Sequence, residues 1–416
     1  MSNKTDMMEV YYPNSVWLNL RRDIFDDLDC FKIRPGIPTW EAGMERLLAE
    51  KGGKMVVDLE LVEKIAAAVL YEGYMLYPYR PSAVKNRKRF NFGVLTPRAY
   101  SEAQHGTERW TMHTEYLIWC EADAVLNVKV RFLNLRDRRV FKTESPPVAG
   151  DGQENLEFLQ VDHLEIAGQH WYAWQEAVER EIAEFHLNPK DLVFHPKTVA
   201  VTFLPETDTQ MLMGDDGQVH GKLEHELPST SLRLEIKARV ESIQEFPDGQ
   251  VRTLKKISVR IENQTGLNEG WLKHREEVLT RSMISTHTIL GVHNAEFVSL
   301  LDPPETLRSQ VAGCQNNGAW PVLVGTPGKC DVMLASPIIL YDYPQVAPES
   351  LGDFYDGTEI DEMLALRVMT LTDAEKQEMR NVDDRARRIL ERTETLPEEH
   401  FMKLHGALRG LRPLEP

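Results

Sequence analysis

Two runs of strict alternation around a proline–glycine turn constrain this chain more than any other feature. Leu232, Leu234, Ile236, Ala238 and Val240 alternate with polar or charged residues, and so do Ile257, Val259 and Ile261. A period of two puts the two sets of side chains on opposite faces of a strand. Between the runs lies Pro247-Asp248-Gly249, where proline presets φ and glycine accepts a positive φ. The pattern predicts an antiparallel hairpin in which both strands keep one wet face, and therefore a sheet packed on one side.

Other segments extend this picture. Short strands are expected at 92–95, 116–120 and 125–135. In the last, Val128, Val130 and Phe132 share one face and Lys129, Arg131 and Leu133 the other. Further strands are expected at 278–290, 296–301, 321–324 and 331–341. Asp58 is placed to cap a helix that carries Leu61, Ile65, Ala68 and Val69 at helical spacing and stops before Pro78. Trp171, Trp174, Val178, Ile182 and Phe185 make an apolar stripe that predicts a second helix over 171–186. Near the end, Thr358-Glu359-Ile360-Asp361 resembles a capping box and Thr372-Asp373-Ala374-Glu375 is a full one. Charge dominates 373–395, so that helix is expected to be largely solvated unless a partner covers it. The stretch 336–375 as a whole reads as a specified surface.

Strands come in runs and do not alternate with helices. The expected class is therefore α+β, with an antiparallel, sandwich-like sheet at the centre, flanking helices and a helical C-terminal region. Three regions follow: 1–150 (N-terminal α+β), 151–345 (β-rich) and 346–416 (helical). SPPVAGDGQEN at 145–155 is the first linker, and the GALRGLRPLEP end has the composition of a linker before a further domain.

With 42% hydrophobic residues over 416 positions, the chain can bury a sizeable core. A net charge of −17 argues against DNA or an anionic membrane as the main partner. Four cysteines are too few for a disulfide scaffold, and no CxxC pair is present. The N-terminus lacks the apolar core of a secretory signal, and no window approaches ~18 continuous apolar residues. A cytoplasmic protein is expected.

His287, His293 and Glu296 are the leading candidates for a metal or acid–base site, provided a turn near Gly291 brings the two imidazoles together. Cys314 and Cys330 flank a glycine-rich loop and are candidates to join them on zinc or another transition metal. The Gly-Lys at the end of that loop is not a phosphate-binding loop, because Leu323 stands where the leading glycine belongs and Cys330 follows the lysine. Asp342, Asp353, Asp356, Glu359, Asp361 and Glu362 are candidate ligands for calcium or magnesium, without EF-hand spacing. Tyr79, Arg80, Lys85, Arg87 and Arg89 interleave aromatic and basic types. That composition suits a partner-binding loop for an acidic protein surface, or for single-stranded nucleic acid. No GxSxG, SxxK or GxGxxG is present. The rival readings are a metal-dependent hydrolase built on His287, His293 and Glu296, and a nucleic-acid binder through 80–92.

The stretches 71–104, 285–304 and 336–379 resemble an uncharacterised bacterial protein family associated with the gene clusters of [NiFe]-hydrogenases. The resemblance implies a non-enzymatic accessory factor for hydrogenase assembly or function. A hydrogenase subunit or maturation factor would be its partner, and a small β-rich domain would follow the C-terminal end. It carries no catalytic residues over to this chain.

Overall fold

Apolar side chains recur at nearly every second position from Met112 through Tyr116, Ile118, Cys120, Leu126, Val128 and Val130 to Phe132, and all of these are buried. In the computed structural model the whole stretch is one strand, β1 (Thr111–Thr143). The two strands expected at 116–120 and 125–135 are therefore one, with a register shift between Cys120 and Val125 where they were expected to separate. The structure describes residues 59–71, 80, 91–144, 156–246, 249, 251–344, 365–382, 384–395 and 397. These lie in one compact unit, residues 58–416.

Both edges of β1 are paired. Along one edge run β10 (Val251–Asn263), then β5 (Trp174–Leu187), then β2 (Phe158–Val161). Along the other run β11 (Ile284–Phe297) and then β8 (Val219–Leu227). Beyond β11 lie β13 (Val332–Ser336) and β12 (Trp320–Leu323); beyond β10 lie β9 (Thr230–Glu245) and β6 (Lys197–Phe203); β7 (Glu206–Met213) flanks β8. All pairs in this 11-stranded sheet are antiparallel. A separate hairpin, β3 (His163–Ile166) and β4 (Gln169–Tyr172), stands beside it. The sheet thus crosses residue 150, and the 145–155 linker lies outside the described residues. The fold is α+β and dominated by its sheet.

The predicted hairpin is β9–β10. Gly249 has φ +78, and its N–H donates to Phe246 O at 2.9 Å, closing the turn. One of the expected wet faces is covered. The polar face of β10 carries Lys256, Ser258 and Glu262, all buried, because β10 is a central strand and the 308–318 segment lies over Lys256, whose Nζ donates to Gly313 O at 2.8 Å. The β9 face keeps water and a row of ion pairs, Arg233–Glu235 and Arg239–Glu241 among them. Of the strands expected at 278–290 and 296–301, Ile284 to Phe297 form a single strand, β11, while Val278 and Leu279 belong to a short helix and 298–301 to no strand.

The helix expected at 171–186 is replaced by β4 and β5. Alanine, glutamate and arginine favour a helix locally, but Glu176, Glu179 and Glu181 of β5 find cations across the ladder on β1. Lys129 and Arg131 reach Glu181 and Glu179 at 3.2 Å, and Arg136 and Arg138 both reach Glu176. Trp174 and Ile182 are buried at the same time. Cross-strand pairing and burial outweigh the local preference. Strands β6 and β7 are separated only by Leu204-Pro205, and β8 and β9 only by Pro228-Ser229, so the two prolines stand opposite each other at a break in the ladder. Each proline lacks the N–H that the ladder needs there.

Helix α1 (Leu59–Tyr71) buries Val62, Ile65, Ala66, Val69 and Leu70. Short helices α2 (Arg98–Ala103), α3 (Asp191–Phe194), α4 (Arg275–Leu279) and α5 (Arg308–Ala312) occupy connections. The single solvated helix expected over 373–395 is a pair, α6 (Asp373–Val382) and α7 (Asp384–Glu394). It is less solvated than its charge suggests: Met379, Val382, Ala386, Ile389 and Leu390 pack on Val368 and on Trp174 of β5. The Thr372 capping box is formed, with Thr372 N–H donating to Glu375 Oε2 at 2.8 Å and Glu375 N–H to Thr372 Oγ1 at 3.3 Å. The sequence around Thr358 lies outside the described residues.

The main core lies against one face of the sheet, on residues from β1, β9, β10, β11 and β13. There Phe132 meets Phe203 of β6 edge to face at 5.8 Å between ring centres. Truncating Phe132→Ala removes a fully buried ring and should cost about 3–5 kcal/mol. Urea unfolding checks this, and a loss under about 1 kcal/mol would show that the core is not built around that ring.

Candidate functional site

The sequence-predicted histidine group does not assemble. Gly291 lies inside β11 and makes no turn, so His287 and His293 stand on one strand. Six residues of extended chain separate them by roughly 20 Å. His287 is fully buried, and its Nδ1 donates to Ser285 O at 2.8 Å. Ser285 has φ +53, an uncommon conformation for a residue with a side chain, at the register shift opposite Phe132. His287 thus clasps a bulge. His293 and Glu296 are exposed.

The cysteines sit in different apolar clusters. Cys314 packs near Leu117 and Val311, with Sγ 3.6 Å from Gln310 O; burial raises its pKa despite the Lys256 ammonium nearby. Cys330 packs on the main core with Sγ 3.6 Å from the Tyr343 hydroxyl, whose pKa is pushed up to about 12, first by burial. Asp342 accepts from Ser299 Oγ at 2.6 Å and from Leu323 N–H at 2.8 Å, which fastens the outer edge of β12. The other five acidic candidates lie outside the described residues, as do Tyr79, Lys85, Arg87 and Arg89. Arg80 is engaged within the molecule, 2.8 Å from Glu375 of the capping box. Among the described residues, no three histidine, cysteine or acidic side chains stand together as a ready metal centre.

Two polar centres went unnoticed in the sequence. The first is Arg138. Its Nε donates to Tyr172 O at 2.9 Å, its Nη1 pairs with Glu176 at 3.0 Å, and its Nη2 donates to Val382 O at 2.8 Å. Val382 ends α6, so a cation caps the carbonyl end of that helix, where the dipole favours it. One guanidinium therefore ties β4, β5 and the C-terminal helices to β1. His225 of β8 lies beside this centre, 3.9 Å from Glu176 on one nitrogen and 3.9 Å from Asp208 of β7 on the other. Burial, with help from Arg136 and Arg138, holds its pKa below the usual histidine value against the pull of Glu176 and Asp208.

The second centre is the β3–β4 hairpin. Ala167 at φ +52 and Gly168 at φ +75 form its two-residue turn, the twist-matched kind that favours tight hairpins. Leu164, Ile166 and Trp171 face the protein and pack with Val140, Leu212 and Leu223. The opposite face carries His163, Glu165, His170 and Tyr172, paired His163 to Tyr172 and Glu165 to His170. His163 Nε2 and His170 Nδ1 are 3.0 Å apart. The two rings are within 13° of parallel with centres 5.2 Å apart, so they lie nearly in one plane with these nitrogens face to face. Tyr172 stacks on His163 at 4.6 Å. The signal in the sequence was the alternation of His163-Leu164-Glu165-Ile166 before Ala167-Gly168.

Comparison with known proteins adds little to this geometry. Residues 1–55 match a family of unknown function, DUF6084. That segment lies outside the described residues. No curated protein matches the chain. Among solved structures it is similar, at 9% identity and a TM-score of 0.07, to a chain of the cryo-EM structure of the ETEC pilotin–secretin AspS–GspD complex. The match spans 58% of this chain and 69% of that one, and at this score carries no argument. Among the described residues, no helix is long and apolar enough to cross a membrane.

Two outcomes follow from the Arg138 centre. Arg138→Met removes one of the two cations on Glu176, leaving Arg136, and frees the Val382 carbonyl at the end of α6; it should cost about 2 kcal/mol in urea unfolding and raise amide exchange in α6 and α7 first. For His225 the folded state prefers the neutral ring, so its contribution is intact above the ordinary pKa of about 6.5 and is lost as pH falls below it. Urea midpoints at pH 7.5 and 5.5 should differ in the native protein and differ less in His225→Gln.

Proposed function

We propose that this protein works by binding another protein and catalyses no reaction of its own. The observation that supports this reading is the long outer ribbon edge formed by β6 and β7. Exposed apolar residues stand at three places beside it: Phe194 in the short helix before β6 (74% exposed), Leu204 between the two strands (73%), and Met211 and Met213 in β7 (about half exposed). Neither β6 nor β7 has a second ladder partner among the described residues. An edge strand with open N–H and C=O groups and apolar side chains accepts an added strand from a partner. The ionisable groups of the neighbouring interior are meanwhile engaged in structural pairs, as at Arg138, Glu176 and Lys256.

The resemblance to proteins of [NiFe]-hydrogenase gene clusters makes a hydrogenase subunit or maturation factor the partner class to test first. An accessory factor of that kind needs a surface that holds an immature subunit. Capture from native cells with the tagged chain should recover such a protein. Leu204→Glu combined with Met211→Glu, both on exposed positions, should cut the recovery about tenfold with Tm unchanged. Repeated capture of unrelated proteins, or equal capture by the double variant, would defeat the reading.

A further inference from the structure

We propose that His163 and His170 form a binding site for a divalent transition-metal ion of the zinc type, with Glu165 as the third protein ligand. This site is independent of the ribbon edge above. Three features on the hairpin support it.

The first is separation. Zinc–imidazole bonds of about 2.0–2.1 Å place two nitrogens of a tetrahedral site about 3.3 Å apart. His163 Nε2 and His170 Nδ1 are already 3.0 Å apart. In the metal-free arrangement one hydrogen lies between them, since two neutral imidazoles meeting nitrogen to nitrogen share a single N–H. Exchange of that hydrogen for a metal ion opens the pair by a few tenths of an ångström and tilts each ring by roughly 35°, so that both lone pairs meet at a point off the line between them. His163 is solvent-exposed on this face and is the ring free to take up most of that movement, with His170 the more enclosed of the two.

The second is the carboxylate. Glu165 sits directly across from His170 in the ladder, and its Oε2 is 4.0 Å from His170 Nδ1. Its side chain is 59% exposed and free to swing onto a metal held by the two rings. Two imidazoles, one carboxylate and one water make a tetrahedral set with an open position.

The third is rigidity. A tight turn fixes the register, three apolar side chains fix the opposite face, Tyr172 braces the His163 ring, and Arg138 holds the Tyr172 carbonyl. The two imidazoles are therefore presented by an ordered scaffold, which lowers the ordering cost of binding.

The test is a calorimetric titration of zinc chloride into the chelator-stripped full chain at pH 7.5. The expected result is a micromolar binding event weakened about tenfold or more in His163→Ala and in His170→Ala, and more modestly in Glu165→Gln. His163→Gln, which keeps a polar group on the hairpin, should show the same loss with an unchanged Tm and circular dichroism spectrum. Cobalt(II) added in place of zinc should give the visible absorption of a four-coordinate site, absent in the histidine variants. Isotherms that are unchanged in both histidine variants, or no zinc uptake by the native chain, would overturn the proposal.

Discussion

Everything in this fold hangs on the double pairing of β1. A strand with a ladder on both edges and one fully buried apolar face has no freedom of register: a slip of one residue would put Lys129 and Arg131 where Val128 and Val130 now fill the core. Its partners arrive from distant parts of the chain, β5 and β8 from the middle and β10 and β11 from further on. The main core exists because β1 brings these strands together, and the helices pack on what it has assembled.

The elements that were legible in the sequence are those whose local and tertiary preferences agree. The β9–β10 alternation and its turn, and the Thr372 capping box, satisfy their hydrogen bonds within a few residues, so their signatures survive in any context. β5 was illegible for the opposite reason. Its Ala-Val-Glu-Arg-Glu-Ile run carries helical spacing and helical propensity, and the cations that turn it into a strand lie some forty residues earlier, on β1. The continuity of β1 was hidden by the acidic, small residues Glu121-Ala122-Asp123, which look like a turn and are a register shift.

The same logic separates the two histidine groups. His287 and His293 are close in sequence and far apart in space, because a strand moves its residues apart by about 3.3 Å each. His163 and His170 are as far apart in sequence and adjacent in space, because a two-residue turn folds them back on each other. Proximity was decided by the placement of the turn: Gly291 is an ordinary strand residue, whereas Ala167-Gly168 adopts positive φ. The Arg138 centre was out of reach of sequence reasoning altogether, since its partners lie on three elements that only the finished sheet brings to one point.

The long spine has a price in time. The first residues of β1 pair with β10 residues about 150 positions further along, Thr111 with Glu262. At a translation rate of about 5–20 residues per second, the ribosome releases β1 roughly 8 to 30 seconds before that partner exists. For that interval β5 and β8 can already join the later part of β1, but its first ten residues, Thr111 to Cys120, wait without the β10 ladder. Met112, Tyr116 and Ile118, all buried in the finished sheet, are thus the part of the spine left open longest during synthesis.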